Sequence, residues 1–382
     1  MIYLDHAATT PLRHEVLQAM EPFLTAEFGN PSGVHAVARA ARRAVDDARE
    51  RLALVLGCEP SEVVFTGGGT EADNLAVTGT ALKAVADGAE APLVLCSAVE
   101  HPAVLEPVRW LGGREIPVDG AGVIDLGTLA EILSTEGGRA VLAAVMLANN
   151  ETGVVQPLSE VAALLGRLAP GALLHTDAVQ AFRWLDLATE AAGADLVSVS
   201  AHKLGGPKGA GALVVRERAR RRLAPVLRGG PQEHELRAGT HNVSGIVGLA
   251  AAAELAAKER EEASARVGEL AERFLSGLAS ACPGATSTVA AVRRLPNIVN
   301  VFLPAGEAEE LLLLLDRRGV AASAGSACAS GALRPSPVLL AMGIDAPTAR
   351  RHLRFSLAPT TTAEEVDRAV AAVAEAVGEL AR

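Results

Sequence analysis

Lys203 has the clearest chemical potential in the chain. It lies in Ser200-Ala201-His202-Lys203-Leu204-Gly205-Gly206, between an apolar strand-like run over 195–200 and a second over 212–215. A lysine delivered to the end of a buried strand is partly desolvated, which lowers its pKa, and a neutral amine can attack a carbonyl to form a Schiff base. From these residues alone, a solvated lysine beside a glycine turn is the competing reading. Asp177 ends the preceding apolar run. A carboxylate there would keep a pyridine nitrogen protonated and make its ring an electron sink, or would cap a helix. Paired with His175 it offers two metal-ligand types, but no clear third ligand accompanies them.

Four further positions could do chemistry. Gly67-Gly68-Gly69-Thr70 opens a helical stretch, where unpaired backbone amides and the helix dipole suit a single phosphate. Its spacing matches neither GxxxxGKS/T nor GxGxxG, so no nucleotide is indicated, and a tight turn explains the glycines equally. His101, after a strand and before Pro102, could stack on a flat ring or move protons, or be structural. Cys328 lies in the small-residue run 323–331, which builds no core and reads as a loop where a thiolate could act. Cys96 sits in an apolar strand, and Cys58 and Cys282 sit in turns. Arg354, on an apolar strand, is either a buried ion-pair partner or a fork for a substrate carboxylate.

The elements that must position these groups follow a repeating pattern. Apolar strands at 62–66, 93–97, 140–147, 172–176 and 195–200 alternate with helical stretches, and polar clusters follow the strands. Continuous apolar strands separated by helices predict a mainly parallel sheet covered on both faces, with ligands at the strands' carboxyl ends. After Asn242 the pattern changes to a long Ala- and Glu-rich helix, or a broken pair, then strands at 298–302 and 352–357 among helices. Thr362 and Glu365 form a capping-box pattern before the last helix. The predicted organisation is an N-terminal segment, 1–25, packing on a small domain; a large domain, 26–245; and a small α+β domain, 246–382, carrying the Cys328 loop.

Composition agrees with two domains. The chain has 382 residues, 49% of them hydrophobic and 21% charged, which provides a large core and argues against disorder. The net charge of −10 disfavours nucleic acid as a partner. The N-terminus lacks signal-peptide character, and no apolar run nears the ~20 residues that cross a bilayer. Four cysteines without CxxC pairing fit reduced thiols and a cytoplasmic protein.

Eight segments occur together in order: 5–11 (DHAATTP), 28–32 (FGNPS), 70–74 (TEADN), Glu100-His101, 149–153 (NNETG), 177–180 (DAVQ), 200–203 (SAHK) and 323–328 (SAGSAC). In this set and spacing the chain resembles the cysteine desulfurases of the NifS/IscS type, in the group with a long cysteine loop. The resemblance implies an aminotransferase-like α/β fold, the pyridoxal-phosphate fold type I, with a mainly parallel seven-stranded sheet flanked by helices and a smaller α+β domain. It implies a homodimer that takes sulfur from L-cysteine, leaves L-alanine and passes a persulfide on Cys328 to an iron–sulfur scaffold or a tRNA-thiolation enzyme. Carried over by residue, Lys203 would hold pyridoxal phosphate as a Schiff base, Asp177 would pair with its ring nitrogen, and His101 would stack on the ring and act as an acid. Asn150 and Gln180 would bond ring substituents. Gly69, Thr70, Ser200 and His202 would bind the phosphate, with Thr240 reaching it across the dimer. Arg354, assisted by Asn30, would hold the substrate carboxylate. No resident metal is implied, although Cys328 could transiently ligate a cluster iron. The alternatives were a selenocysteine lyase or other pyridoxal-phosphate lyase or transaminase, and a cofactor-bearing assembly platform without turnover. Pro231 stands where a third glycine is usual, and Gly33-Val34 where Ser-Leu is common.

Overall fold

The computed structural model describes residues 1–289, 292–325 and 335–382. Its largest sheet has seven strands in the spatial order Val63–Thr66, Gly211–Val215, Leu196–Ser200, Leu173–Asp177, Ala140–Ala144, Leu93–Ser97 and Arg114–Ile116. All run parallel except Gly211–Val215, which is antiparallel to both neighbours. The continuous apolar runs therefore lie in a mainly parallel sheet, as their lack of alternation requires.

The two faces of this sheet have different partners. Leu173, Leu196 and Leu213 pack with Ala72, Leu75 and Ala76 of the helix Gly69–Ala86. On the other face Leu174, Val197 and Val199 join the main core, which also holds Leu249 and Ala253 of the helix Val243–Ala281. That helix is one continuous element of 39 residues, so the broken-pair reading falls away. Its amino-terminal half is buried through Ala250 to Ala253, and its carboxyl-terminal half carries Phe274 into the second sheet.

The second sheet is antiparallel, ordered His352–Ser356, Ile298–Phe302, Thr286–Ser287. The N-terminal strand Ile2–Tyr3 pairs in parallel with Val320–Ala321, and Asp5 bridges to Ser356. The Thr362 capping box forms as the sequence suggests, starting the helix Ala363–Leu380. The helix predicted from Leu75 starts earlier, at Gly69, because the glycine turn is its first turn.

Phe274 and Phe355 join the long helix to the second sheet, fully buried with ring centroids 4.7 Å apart. Phe355→Ala is expected to destabilise the fold by about 3–5 kcal/mol. Chemical denaturation of the two proteins measures it as a lower unfolding midpoint for the variant.

Candidate active site

Strand alternation places the first set of groups. Residues two apart share a face, so Leu173, His175 and Asp177 all point toward the helix Gly69–Ala86, as do Leu196, Ser198 and Ser200 on the next strand. Asp177 ends its strand buried, and its Oδ1 accepts the backbone N–H of Val179 at 2.8 Å. No helix starts there, so the helix-cap reading is corrected: this is a local turn bond, and the second oxygen is left for other partners. Burial first, then the neighbouring Asp73 charge, pushes Asp177 up to about 7, while His101 and His175 pull against them. His101 supplies the cap instead: its Nδ1 accepts from Ala103 N at the start of the helix Pro102–Trp110. With Nδ1 accepting, the neutral ring carries its proton on Nε2, an assignment made from the hydrogen bond. Burial, with help from Lys203, holds His101 below its usual range.

Lys203 is not on the strand but one turn beyond it, in the 3-10 turn Ala201–Lys203. Its Nζ donates to the carbonyls of Ala7 at 2.5 Å and Ala8 at 2.7 Å. Gln180 Nε2 donates to the same Ala7 carbonyl at 2.8 Å. Thr10 locks this junction: its N–H and hydroxyl both donate to His202 O, at 3.0 and 2.8 Å, and its Oγ1 accepts from Gly205 N.

Beside these groups lies a cavity of about 860 Å³ lined by Gly67 to Thr70, Ser200, His202, Lys208 and Arg237, among others. Its floor is built by close backbone approach. A Cβ on Gly211 would meet Gly68 Cα and C at 2.7 Å, and Gly68 adopts a φ of 149° that disfavours other residues. Glu71 accepts from Gly67 N at 2.9 Å and from Arg237 Nε at 2.7 Å, which fixes the turn from outside. Glu233 braces the segment that carries Arg237. It receives bonds from Arg49, His241 and Phe65 N, and holds three successive residues, Glu233, His234 and Glu235, at positive φ. Although burial pushes Glu233 up, His241 and Arg49 outweigh it and hold the carboxyl at about 2.

Arg354 proves to be an ion-pair partner. It is 2% exposed, and its guanidinium donates to Asp5 Oδ1 at 2.7 Å and Asn150 O at 2.8 Å, leaving Nε with no partner. Two residues assigned by resemblance stay outside this assembly. Thr240 is exposed and does not line the cavity, because its segment turns toward the surface of its own chain. Asn30 is exposed, and its Oδ1 accepts Ser32 N, so it stabilises its own turn and makes no bond to Arg354. Cys328 lies outside the described residues.

Motif residues without an assigned role prove to be organisers. Besides Asp5, Glu151 accepts from Ser336 Oγ at 2.5 Å, and a Cβ on Gly325 would meet Glu151 Oε2 at 2.5 Å and His352 Nε2 at 2.8 Å. Both described flanks of segment 326–334 thus close on one buried carboxyl. Their available signal was an acidic residue inside an apolar or glycine-bearing motif. No grouping of His, Cys, Asp and Glu suited to a metal occurs among the described residues, and no helix among them is long and apolar enough to cross a membrane.

The site has the groups that pyridoxal phosphate would require: backbone amides at a helix start for a phosphate, a buried carboxyl for a ring nitrogen, and a lysine in the turn that follows the adjacent strand. The family pattern described as Aminotransferase class-V matches residues 2–369. The chain is 40% identical to the cysteine desulfurase IscS of Dictyoglomus turgidum, over 96% of this chain and 92% of that one. It is 40% identical to the cysteine desulfurase NifS of Azotobacter vinelandii, over 99% and 93%. A solved NifS-like protein superposes with a TM-score of 0.91 at 33% identity, covering 99% of this chain and 100% of that one.

Two measurements test this geometry. Asp5→Ala leaves a buried guanidinium without its counter-charge, and a loss of about 3–5 kcal/mol is expected in urea unfolding. Burial, then Lys203 and Lys208, push His202 down to about 4 from an ordinary 6.5. Because its folded value lies below the unfolded one, the unfolded chain binds more protons between them, and stability falls as pH falls through that window. His202→Gln should therefore lose less Tm than the parent between about pH 7 and about pH 5. Equal losses would show that His202 does not titrate as its surroundings demand.

Proposed function

The chain belongs to the aminotransferase class-V family and is a cysteine desulfurase; from that premise we propose how its own residues divide the reaction. The observation that carries the proposal is that Lys203 and Asp177, just past and at the carboxyl ends of adjacent strands, are close enough to His101 to act on its charge, while Ser200, ending the strand before Lys203, lines the Gly67–Thr70 cavity. The family implies pyridoxal phosphate, and when bound this cofactor supplies the electron sink that lets a substrate Cα lose its proton.

Lys203 would hold the cofactor, and its freed Nζ would take the substrate's Cα proton. Asp177 would hold the ring nitrogen through the oxygen not used by Val179, while Asn150 and Gln180 would orient the ring substituents. His101 would stack on the ring and present its Nε2–H as an acid. Gly69, Thr70, Ser200 and His202 would bind the phosphate. Thr240, exposed in its own chain, completes that site across a homodimer. Arg354 holds the L-cysteine carboxylate through guanidinium N–H groups that Asp5 and the Asn150 carbonyl do not occupy. Asn30, bonded within its own turn, stands outside this set.

Sulfur leaves through Cys328. Its thiolate attacks the substrate sulfur, an S–S bond forms, the C–S bond breaks, and that bond's electron pair stays on the substrate carbon. Protonation of that carbon releases L-alanine and leaves a persulfide on Cys328. A cytoplasmic acceptor, an iron–sulfur scaffold or a tRNA-thiolation enzyme, then takes the sulfur.

Purified protein supplied with pyridoxal phosphate, L-cysteine and a reductant should form alanine. Lys203→Ala should lose the cofactor's covalent link and alanine production together. Cys328→Ser should keep the cofactor's visible absorption while sulfur release falls at least about 10²-fold. Undiminished sulfur release from that variant would exclude a persulfide on Cys328.

A further inference from the structure

Behind Asp177 lies a buried polar array for which the reaction above has no use. Asp73 projects from the helix Gly69–Ala86, the same helix whose first turn borders the phosphate cavity, and is 1% exposed. His175 and Ser198 are wholly buried on the two adjacent strands. His175 Nε2 lies 2.9 Å from Ser198 Oγ and 3.5 Å from Asp73 Oδ1, and Ser198 is hydrogen-bonded to Asp73. His175 Nδ1 and Asp73 Oδ1 have no hydrogen-bond partner, so the Ser198 bond falls on the other Asp73 oxygen.

One proton arrangement satisfies these contacts. An unpartnered buried N–H is the costly option, so the proton belongs on Nε2 and Nδ1 is the bare nitrogen. His175 then donates to Ser198, whose hydroxyl proton is free to donate to Asp73. A carboxylate that receives a donor in a low-dielectric site is favoured in its charged form. Burial pushes Asp73 up to about 7 and the Ser198 bond pulls against it, so the array favours the charged form of Asp73, whose charge acts on Asp177.

We propose that Asp73, held by Ser198 and His175, is a positioning residue that keeps a proton on Asp177 in the empty site, ready for the cofactor's ring nitrogen. The proposal rests on the reading of Asp177 as the partner of that nitrogen. Two carboxylates this close cannot both ionise cheaply, so the charge on Asp73 makes Asp177 hold its proton. On cofactor binding the Asp177 O–H bond breaks and an N–H bond forms, with no proton drawn from solvent for this exchange. The other groups facing Asp177 are consistent with this assignment. Glu100, bonded to Met146 N and otherwise unpartnered, is pushed well up by burial. His175 is held at about 4 by burial and is neutral. His101 is likewise lowered by burial, with Lys203 acting on it from the opposite side.

The test is a count of protons exchanged when apoprotein binds pyridoxal phosphate at about pH 7, read calorimetrically in buffers of different ionisation enthalpy. Contributions from the phosphate and from Lys203 cancel in the difference between variants. Asp73→Asn keeps the shape but removes the charge, so Asp177 enters binding already ionised and net uptake should rise by up to about one proton relative to the parent. Ser198→Ala removes the donor to Asp73 and should move the count in the same direction, which keeps the test open if Asp73→Asn does not fold. Weaker binding with an unchanged count in both variants would mean the array is only packing, and would overturn the proposal. Asp177→Ala separates the underlying reading: if it binds the cofactor as tightly as the parent, Asp177 is not the nitrogen's partner and the proposal fails with that reading. If Asp73→Asn shifts the count equally in the Asp177→Ala background, the reading stands and the proposal alone fails.

Discussion

The carbonyl of Ala7 is where the two sheets and the candidate chemistry meet. It accepts from Lys203 Nζ and from Gln180 Nε2, while the N–H of the same residue donates to Ser356 Oγ in the second sheet. The segment from Asp5 to Thr10 therefore spans the junction: Asp5 reaches Arg354, Ala7 and Ala8 hold the lysine, and Thr10 holds the turn after it. A backbone carbonyl cannot change its charge or swing away on a flexible stem. It is therefore a fixed acceptor for an ammonium that must later be released, and the short N-terminal strand beside Val320–Ala321 keeps it in place.

Burying charge is the second constraint, and the structure meets it differently on its two sides. Around Arg354 the charges are opposite and directly bonded, with Asp5 and the Asn150 carbonyl sharing the guanidinium. Around Asp177 the ionisable groups are mostly carboxyls, from Asp73, Glu100 and Asp177 itself, and burial raises all three. Such a cluster cannot ionise throughout, so it retains protons at neutral pH.

Much of the architecture was legible because it is local. The apolar runs ending at Ser97, Asp177 and Ser200 have strand length and lack alternation, and the glycines at 67–69 mark where a strand yields to a helix. What was not legible depends on pairings far apart in sequence, which leave no period to read. The pairing of Arg354 with Asp5 at 2.7 Å joins residues 349 apart in the chain. Asp73 and His175 lie 102 residues apart, and only the parallel pairing of the His175 and Ser198 strands beneath the helix that carries Asp73 joins them through Ser198. Thr240 and Asn30 illustrate the converse. Resemblance assigns them to the site, but in this chain both are exposed and neither lines the Gly67–Thr70 cavity.

Glu151 links the surroundings of Arg354 to the flanks of segment 326–334. It follows Asn150, whose carbonyl holds Arg354, and its own carbonyl accepts from Asn300 Nδ2 on the strand beside Arg354's. Its carboxyl takes the Ser336 hydroxyl and lies against Gly325, where no side chain could fit. Burial pushes this acid up, while Ser336 and Arg354 pull it down, so its charge is coupled to the same arginine proposed to receive the substrate carboxylate. The turn 149–153 thus places the strand that orients substrate and the flanks of the Cys328 segment on one rigid piece of backbone. That backbone is fixed in turn by Asn149, whose Oδ1 accepts from Glu151 N and Thr152 N, so a change in how Arg354 is engaged meets a braced turn rather than a yielding loop.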